Sequence, residues 1–171
     1  STAVATFTNL QTVGSIGFSA NNLAASLGYT AAATSGTADV LTINMQGVTQ
    51  AGNLIVGATT NTIETISVSS TVTANTINDL QSTTAGTTIL NVSGDQALTI
   101  TTALDTEIVT VNAGTATGAV SLQAANTTGV TVTGGSAGDT LTTVGGADNV
   151  SGGAGNDIIN AGTGNDTVVG G

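Results

Sequence analysis

The sequence has no lysine, arginine or histidine, against ten acidic residues, and so carries a formal charge of -10 over 171 residues. No carboxylate in such a chain can pair with a cationic side chain. Each must be balanced by backbone N–H groups, water or metal ions, and self-repulsion opposes the compact state. Nucleic-acid partners are excluded, because that affinity rests on Lys and Arg, and anionic membrane surfaces are excluded on the same ground. Cysteine is absent as well, which removes disulfides, thiolate zinc sites and thiol nucleophiles together. Proline and tryptophan are also missing, and aromatics make up 2% of the chain. A core without aromatics is built from Val, Ile, Leu, Ala and Thr, and it suits thin layered packing better than a thick globule. Mean hydropathy is +0.34, yet Thr, Ser, Asn and Gly interrupt every apolar segment well short of the ~20 residues of a spanning helix.

These absences bear on catalysis too. Without His, Cys, Lys or Arg the usual bases, nucleophiles and oxyanion clamps are missing, and the chain reads as a non-enzyme. Neighbouring carboxylates such as Asp105 and Glu107 could act on a glycoside. They lack an aromatic platform, since Phe7, Phe18 and Tyr29 all lie in the N-terminal segment.

What is present is alternation. Between residues 36 and 133, short period-2 stretches of β-branched residues recur roughly every ten positions. Val40–Met45, Ile63–Val68, Ile89–Val92, Ala97–Thr101, Ile108–Val111, Ala119–Leu122 and Gly129–Thr133 are the clearest. Two architectures fit, an antiparallel sandwich and a parallel β-solenoid. The scarcity of aromatics and proline, and the seamless passage into a stricter repeat after residue 134, favour an all-β parallel solenoid. A sandwich is the alternative for residues 1–110. The first 35 residues read as an irregular lead-in, with a short helix over Ser19–Leu27 stopped by Gly28 and another single turn over Thr76–Gln81.

From residue 134 the chain falls into nines. Asp139, Asp148, Asp157 and Asp166 are nine apart, and Leu141, Val150, Ile159 and Val168 keep the same step. Glycines permit positive φ and close backbone approach, so a turn can aim its carbonyls inward. The aspartate adds a hard carboxylate, and carbonyls with carboxylates are the ligand set of Ca²⁺. The aliphatic residue two places on starts a strand into the core. Two nines make one coil, so alternate turns stack on one edge, about 4.7–4.9 Å apart. A flexible Gly/Asn/Asp linker is the bland reading, but a linker has no reason to hold an aliphatic residue at a fixed step.

The nonapeptide Gly152-Gly153-Ala154-Gly155-Asn156-Asp157-Ile158-Ile159-Asn160 resembles the G-G-x-G-x-D-x-apolar-x pattern of RTX proteins at every fixed place. That resemblance implies a β-roll with Ca²⁺ held between turns, Asp139 and Asp157 on one edge and Asp148 and Asp166 on the other. Gly153, Gly155, Asn156, Gly162, Gly164 and Asn165 would complete the sites. Ala137, Thr143-Val144 and Ala161 depart from the pattern, which puts the first site in doubt and makes Asp157 and Asp166 the safest. Outside the repeat, Asp39 in a degenerate copy of the turn and Asp95 after Gly94 join the candidate metal set, each with a solvated turn acid as its alternative. Asp105 and Glu107 read in the same two ways, and Glu64 reads as an outward strand residue.

The Thr/Ala/Ser-rich strands, with Ile63-Glu64-Thr65-Ile66-Ser67-Val68 and Leu90-Asn91-Val92-Ser93-Gly94-Asp95, are similar to the lattice-forming part of RTX-type bacterial surface-layer proteins. The resemblance implies type I secretion, an extracellular or cell-surface location, and Ca²⁺-driven assembly into a homo-oligomer or lattice of like subunits. A cell-surface glycan or lipopolysaccharide would be met through regions not present here. An adhesin stalk and the accessory β-roll of a secreted hydrolase are the alternatives. Ser1 opens directly into alternating sequence and Gly170-Gly171 resembles the start of a further repeat, so the chain reads as a piece of a longer one.

Overall fold

Alternation becomes strand, and the glycine-rich stretches after residue 133 become turns, in the computed structural model, which describes residues 3–19, 23–36, 38–58, 62–83 and 86–171. Among the described residues, sixteen strands alternate strictly between two sheets. The first sheet holds β1 (Ala3–Leu10), β3 (Leu23–Tyr29), β5 (Thr49–Ala58), β7 (Asn75–Ser82), β9 (Leu98–Ile100), β11 (Val120–Gln123), β13 (Thr140–Thr142) and β15 (Ile158–Asn160). The second holds β2 (Ser15–Phe18), β4 (Val40–Gln46), β6 (Thr65–Thr71), β8 (Ile89–Gly94), β10 (Thr110–Ala116), β12 (Thr131–Thr133), β14 (Asn149–Ser151) and β16 (Thr167–Val169). Every strand pairs in parallel with the strand two places along the chain, as β4 does with β6 and β13 with β15. This is a parallel β-solenoid, as the repeat pattern predicts. The sandwich alternative for residues 1–110 fails because its pairings would be antiparallel.

Inward residues of successive coils lie on one another. In the second sheet Leu41, Ile66, Leu90, Val111, Val132, Val150 and Val168 form one column. From Leu41 to Val150 every member is essentially buried. Burying an aliphatic side chain contributes roughly 1.5–3 kcal/mol, so the column is a main source of cohesion. The steps between those residue numbers shorten along the chain, from 25 and 24 through 21 and 21 to 18 and 18. The coils therefore narrow, and core composition follows. Phe18, Leu27, Tyr29 and Met45 are buried in the wide coils, whereas only Leu141 and Val150 are fully buried within the last stretch. One outward row is polar: Thr42, Ser67, Asn91, Asn112, Thr133 and Ser151 stack as a ladder on the second sheet.

Three expectations are corrected. The irregular lead-in is solenoid, since Ala3–Leu10, Ser15–Phe18 and Leu23–Tyr29 are strands. The helix expected over Ser19–Leu27 is strand from Leu23 onward, while residues 20–22 lie outside the described residues. Buried Ala25, Leu27 and Tyr29 show the period of two that a strand gives. The single turn expected over Thr76–Gln81 is strand β7. Its Ile77 and Leu80, three apart, suggest a helix. Both are buried because a register shift opposite residues 50–53 moves the alternation by one position.

Candidate metal sites between stacked turns

Each aspartate of the repeat sits immediately before a strand: Asp139 before β13, Asp148 before β14, Asp157 before β15 and Asp166 before β16. Because strands alternate between sheets, Asp139 and Asp157 share one edge, and Asp148 and Asp166 share the other. One oxygen of each carboxylate fastens its turn to the coil before it. Asp157 Oδ1 accepts the N–H of Asp139 at 2.9 Å, and Asp166 Oδ1 accepts that of Asp148 at 3.0 Å. Asp139 Oδ1 accepts the N–H of Val120 at 2.7 Å, and Asp148 Oδ1 that of Val130 at 2.9 Å. The last two bonds leave the nonapeptide region and reach coils with no repeat of their own.

The second oxygens carry the functional signal. Asp139 Oδ2 accepts the N–H of Gly135 at 2.6 Å. Asp148 Oδ2 and Asp157 Oδ2 are buried with no hydrogen-bond partner, and the Asp148 side chain is 2% exposed. A buried carboxylate oxygen without a partner carries a large desolvation penalty, and this chain has no side-chain cation to offset it. A metal ion is the group that answers both facts. The donor set fits calcium, because carboxylate and carbonyl oxygens are what the turns offer. Among the described residues no three Asp or Glu side chains converge on one point. Backbone carbonyls and water would therefore supply most ligands at each site, as the glycine content of the turns allows.

Two glycines show why no other residue serves. Gly153 has φ 93° and lies against the carbonyls of Gly135 and Gly134 in the coil before. Gly164 has φ 141° and lies against the carbonyl of Gly146. A Cβ at either position would occupy the space in which carbonyls of successive turns approach one another. Gly155 and Gly162 adopt positive φ in the same turns. Asn156 and Asn165 are exposed beside Asp157 and Asp166. An open concavity of about 500 Å³ is lined by Gly155, Asn156, Asp157, Ile158, Gly170 and Gly171. The sequence left the first site in doubt and favoured Asp157 and Asp166; the orphaned oxygens fall on Asp148 and Asp157.

The outlying candidates separate. Asp95 is an exposed turn residue after β8, away from the four repeat aspartates. Asp39 is half-buried and repeats the stitch of the nonapeptides, its N–H donating to Glu64 Oε2 at 2.8 Å while its Oδ2 accepts the Gly36 N–H at 3.3 Å. Glu64 is therefore not an outward strand residue. It precedes β6, and its Oε1 also accepts the Thr62 hydroxyl at 2.9 Å. The signal that finds it is the 25-residue step from Asp39, one coil in this part of the solenoid.

No curated protein and no solved structure matches the chain. The family model of the RTX calcium-binding nonapeptide repeat does match, in four copies, over residues 133–171, and this part of the chain is an RTX repeat region.

Proposed function

We propose that the chain is an extracellular, calcium-dependent structural segment of a self-assembling surface layer, with calcium acting as both folding trigger and lattice contact. The observation that carries the reading is the buried, unpartnered Oδ2 of Asp148 in a protein with no cationic side chain. Where calcium is scarce, as before export, stacked carboxylates repel and the repeat opens. Where calcium is abundant, binding free energy becomes folding free energy.

The outer face of the second sheet supports assembly over a free-standing module. The second sheet presents a regular polar ladder of Thr, Ser and Asn with no cation in it. Two such faces on chains of charge -10 approach only when divalent ions bridge them. The strands serve as scaffold and the turns as ion ligands in this reading, with no catalytic role.

Far-UV circular dichroism with and without EGTA, followed by electron microscopy of the calcium form, is the test. Calcium-induced β-structure and ordered sheets or filaments are expected. β-structure in residues 133–171 that ignores EGTA would remove the folding switch. Dispersed monomers in saturating calcium would move the reading to an adhesin stalk or the accessory roll of a secreted hydrolase.

A further inference from the structure

Four places in the chain read Asn-x-Ser/Thr, at Asn91, Asn126, Asn149 and Asn165. In a surface loop of an exported protein that string is an acceptor for N-linked sugar, so the backbone beneath each one decides what it can do. Asn91 and Asn149 lie within strands β8 and β14, as do Ser93 and Ser151, the hydroxyl residues two places on. Residues two apart in a strand point the same way but stand about 6–7 Å from each other, and neither asparagine bonds its serine. Asn165 is followed by Asp166, whose carboxylate fastens the last turn to Asp148. Asn126 differs from all three. It stands in the loop between β11 and β12, half-buried, with Thr127 and Thr128 exposed beside it. Its Oδ1 accepts both the N–H and the hydroxyl of Thr128, at 2.8 Å each. Its Nδ2 donates to Thr106 O at 2.5 Å. A side-chain amide carries two N–H groups, so one is tied to the coil before and the other has no partner among the described residues.

We propose that Asn126 is a site of N-linked glycosylation, its unpartnered Nδ2–H being the one that sugar replaces. An amide nitrogen is a weak nucleophile because its lone pair is shared with the carbonyl. A hydroxyl donating to Oδ1 draws charge onto that oxygen and makes the remaining N–H easier to deprotonate as the new bond forms. Thr128 is placed to do this and the serines of the two strand sites are not. In the transfer, the bond between the anomeric carbon and the oxygen of a diphosphate-activated sugar breaks. The diphosphate-linked group leaves with the bonding pair, a C–N bond to Nδ2 forms, and one Nδ2 proton passes to a base of the transferring enzyme. The product keeps its second N–H, so the tie to Thr106 O survives and attachment leaves this corner of the solenoid intact. The exposed Thr127 and Thr128 mark the side on which the sugar reaches solvent. The site is independent of the calcium reading, because no repeat aspartate takes part in it.

The test is peptide mass spectrometry of the protein recovered from the cells that make it. Trypsin has no site in a chain without Lys or Arg, but cleavage before aspartate releases residues 105–138, in which Asn126 is the only Asn-x-Ser/Thr asparagine. The same digest places Asn91 in residues 79–94 and Asn149 in residues 148–156. Sugar on Asn126, with Asn91 and Asn149 bare, is the expected result. A bare Asn126 overturns the proposal, and so does sugar spread evenly over the three. Thr128→Ala is expected to lose the sugar and Thr128→Ser to keep it, with the circular dichroism of both unchanged. Sugar retained on Thr128→Ala overturns the argument from the hydroxyl. If that variant does not fold, the distribution over the three sites in the parent decides. A single sugar marks a nucleotide-linked donor and a larger block transferred whole marks a lipid-linked one; either supports the site. Calcium-independent folding of residues 133–171 in a chain glycosylated at Asn126 would count against the repeat reading alone.

Discussion

Replacing Asp148 by asparagine separates a structural tie from a metal ligand at one atom. The amide oxygen of Asp148→Asn can still accept the Val130 N–H that Oδ1 accepts at 2.9 Å. What changes is Oδ2, which is buried and unpartnered and which becomes a neutral NH₂. Weakening a charged hydrogen bond to a neutral one costs about 1 kcal/mol. Losing an ion present at a hundred times its dissociation constant costs about 2.7 kcal/mol more. In saturating calcium the variant should therefore lose about 3–4 kcal/mol, a fall in Tm on the order of 10 °C for a chain of this size. In EGTA the ion contributes nothing and an unpaired buried charge has been relieved, so the variant should equal or exceed the parent. Asp148→Ala is the control: it strands the Val130 N–H in both buffers, at about 1–3 kcal/mol. Calorimetric melts of the three proteins with and without EGTA read all these differences. If Asp148→Asn costs the same in both buffers, Asp148 is a turn fastener and the metal argument built on its second oxygen is wrong.

Asn75 is the neutral counterpart. It is 1% exposed, its Oδ1 accepts the Val48 N–H at 2.6 Å, and its Nδ2 donates to Ser70 Oγ and Thr73 O at 2.8 Å each. Asn75→Ala should cost about 3 kcal/mol or more, with or without calcium, because several buried groups lose partners at once; urea unfolding in both buffers measures it. Gly153→Val should cost about 1–3 kcal/mol of backbone strain and shift the calcium midpoint of residues 133–171 upward, read by circular dichroism. The raised Asp79 carboxyl gives a pH dependence of definite sign. The folded state holds its proton more tightly than the unfolded state, so this contribution to stability is complete below pH 3.8. It is lost as pH rises through the folded-state value. In EGTA the difference in Tm between Asp79→Asn and the parent should therefore widen as pH is raised from acid, and a constant difference would contradict the assignment.

The repeat was legible because its two periods coincide: nine for the aspartate and nine for the aliphatic residue behind it. Once two nines make a coil, the edges follow, and the stitch from Asp139 to Asp157 has the predicted 18-residue spacing. Upstream the same architecture is hidden because the coil length drifts. Leu41 and Ile66 occupy the same place as Val132 and Val150, but 25 residues apart instead of 18, so no fixed period links them. That drift made Glu64 look like a strand residue. It also hid that Asp105 comes close enough to Asp79 on the neighbouring coil to act on its carboxyl. The helical readings at Ser19–Leu27 and Thr76–Gln81 failed for a related reason. Residues four apart share a face in a strand as well as in a helix, and at Ile77 and Leu80 a shift of register buries residues three apart.

The stitches themselves explain why the chain has the charge it does. On the first sheet's entry edge Asn75 holds Val48 by an amide oxygen, while Asp139 holds Val120 and Asp157 holds Asp139 by carboxylate oxygens. The geometry is shared and the charge is not. An amide completes its hydrogen bonds within the coil, as Asn75 does through Nδ2, and needs nothing from solvent. A carboxylate in the same place has a second oxygen that cannot donate: at Asp139 it accepts the Gly135 N–H, but at Asp148 it is buried without a partner and needs a cation from outside. Glu64 and Asp105 make carboxylate stitches upstream, but each is half-exposed, and water there offsets much of the charge. Full burial of charged stitches is confined to Asp139 and Asp148, the two that join the repeat to the coils before it. Calcium control should therefore be sharpest at that junction. The order of loss on chelation follows from it: residues 133–171 open first, and the coils stitched by Asn75 persist.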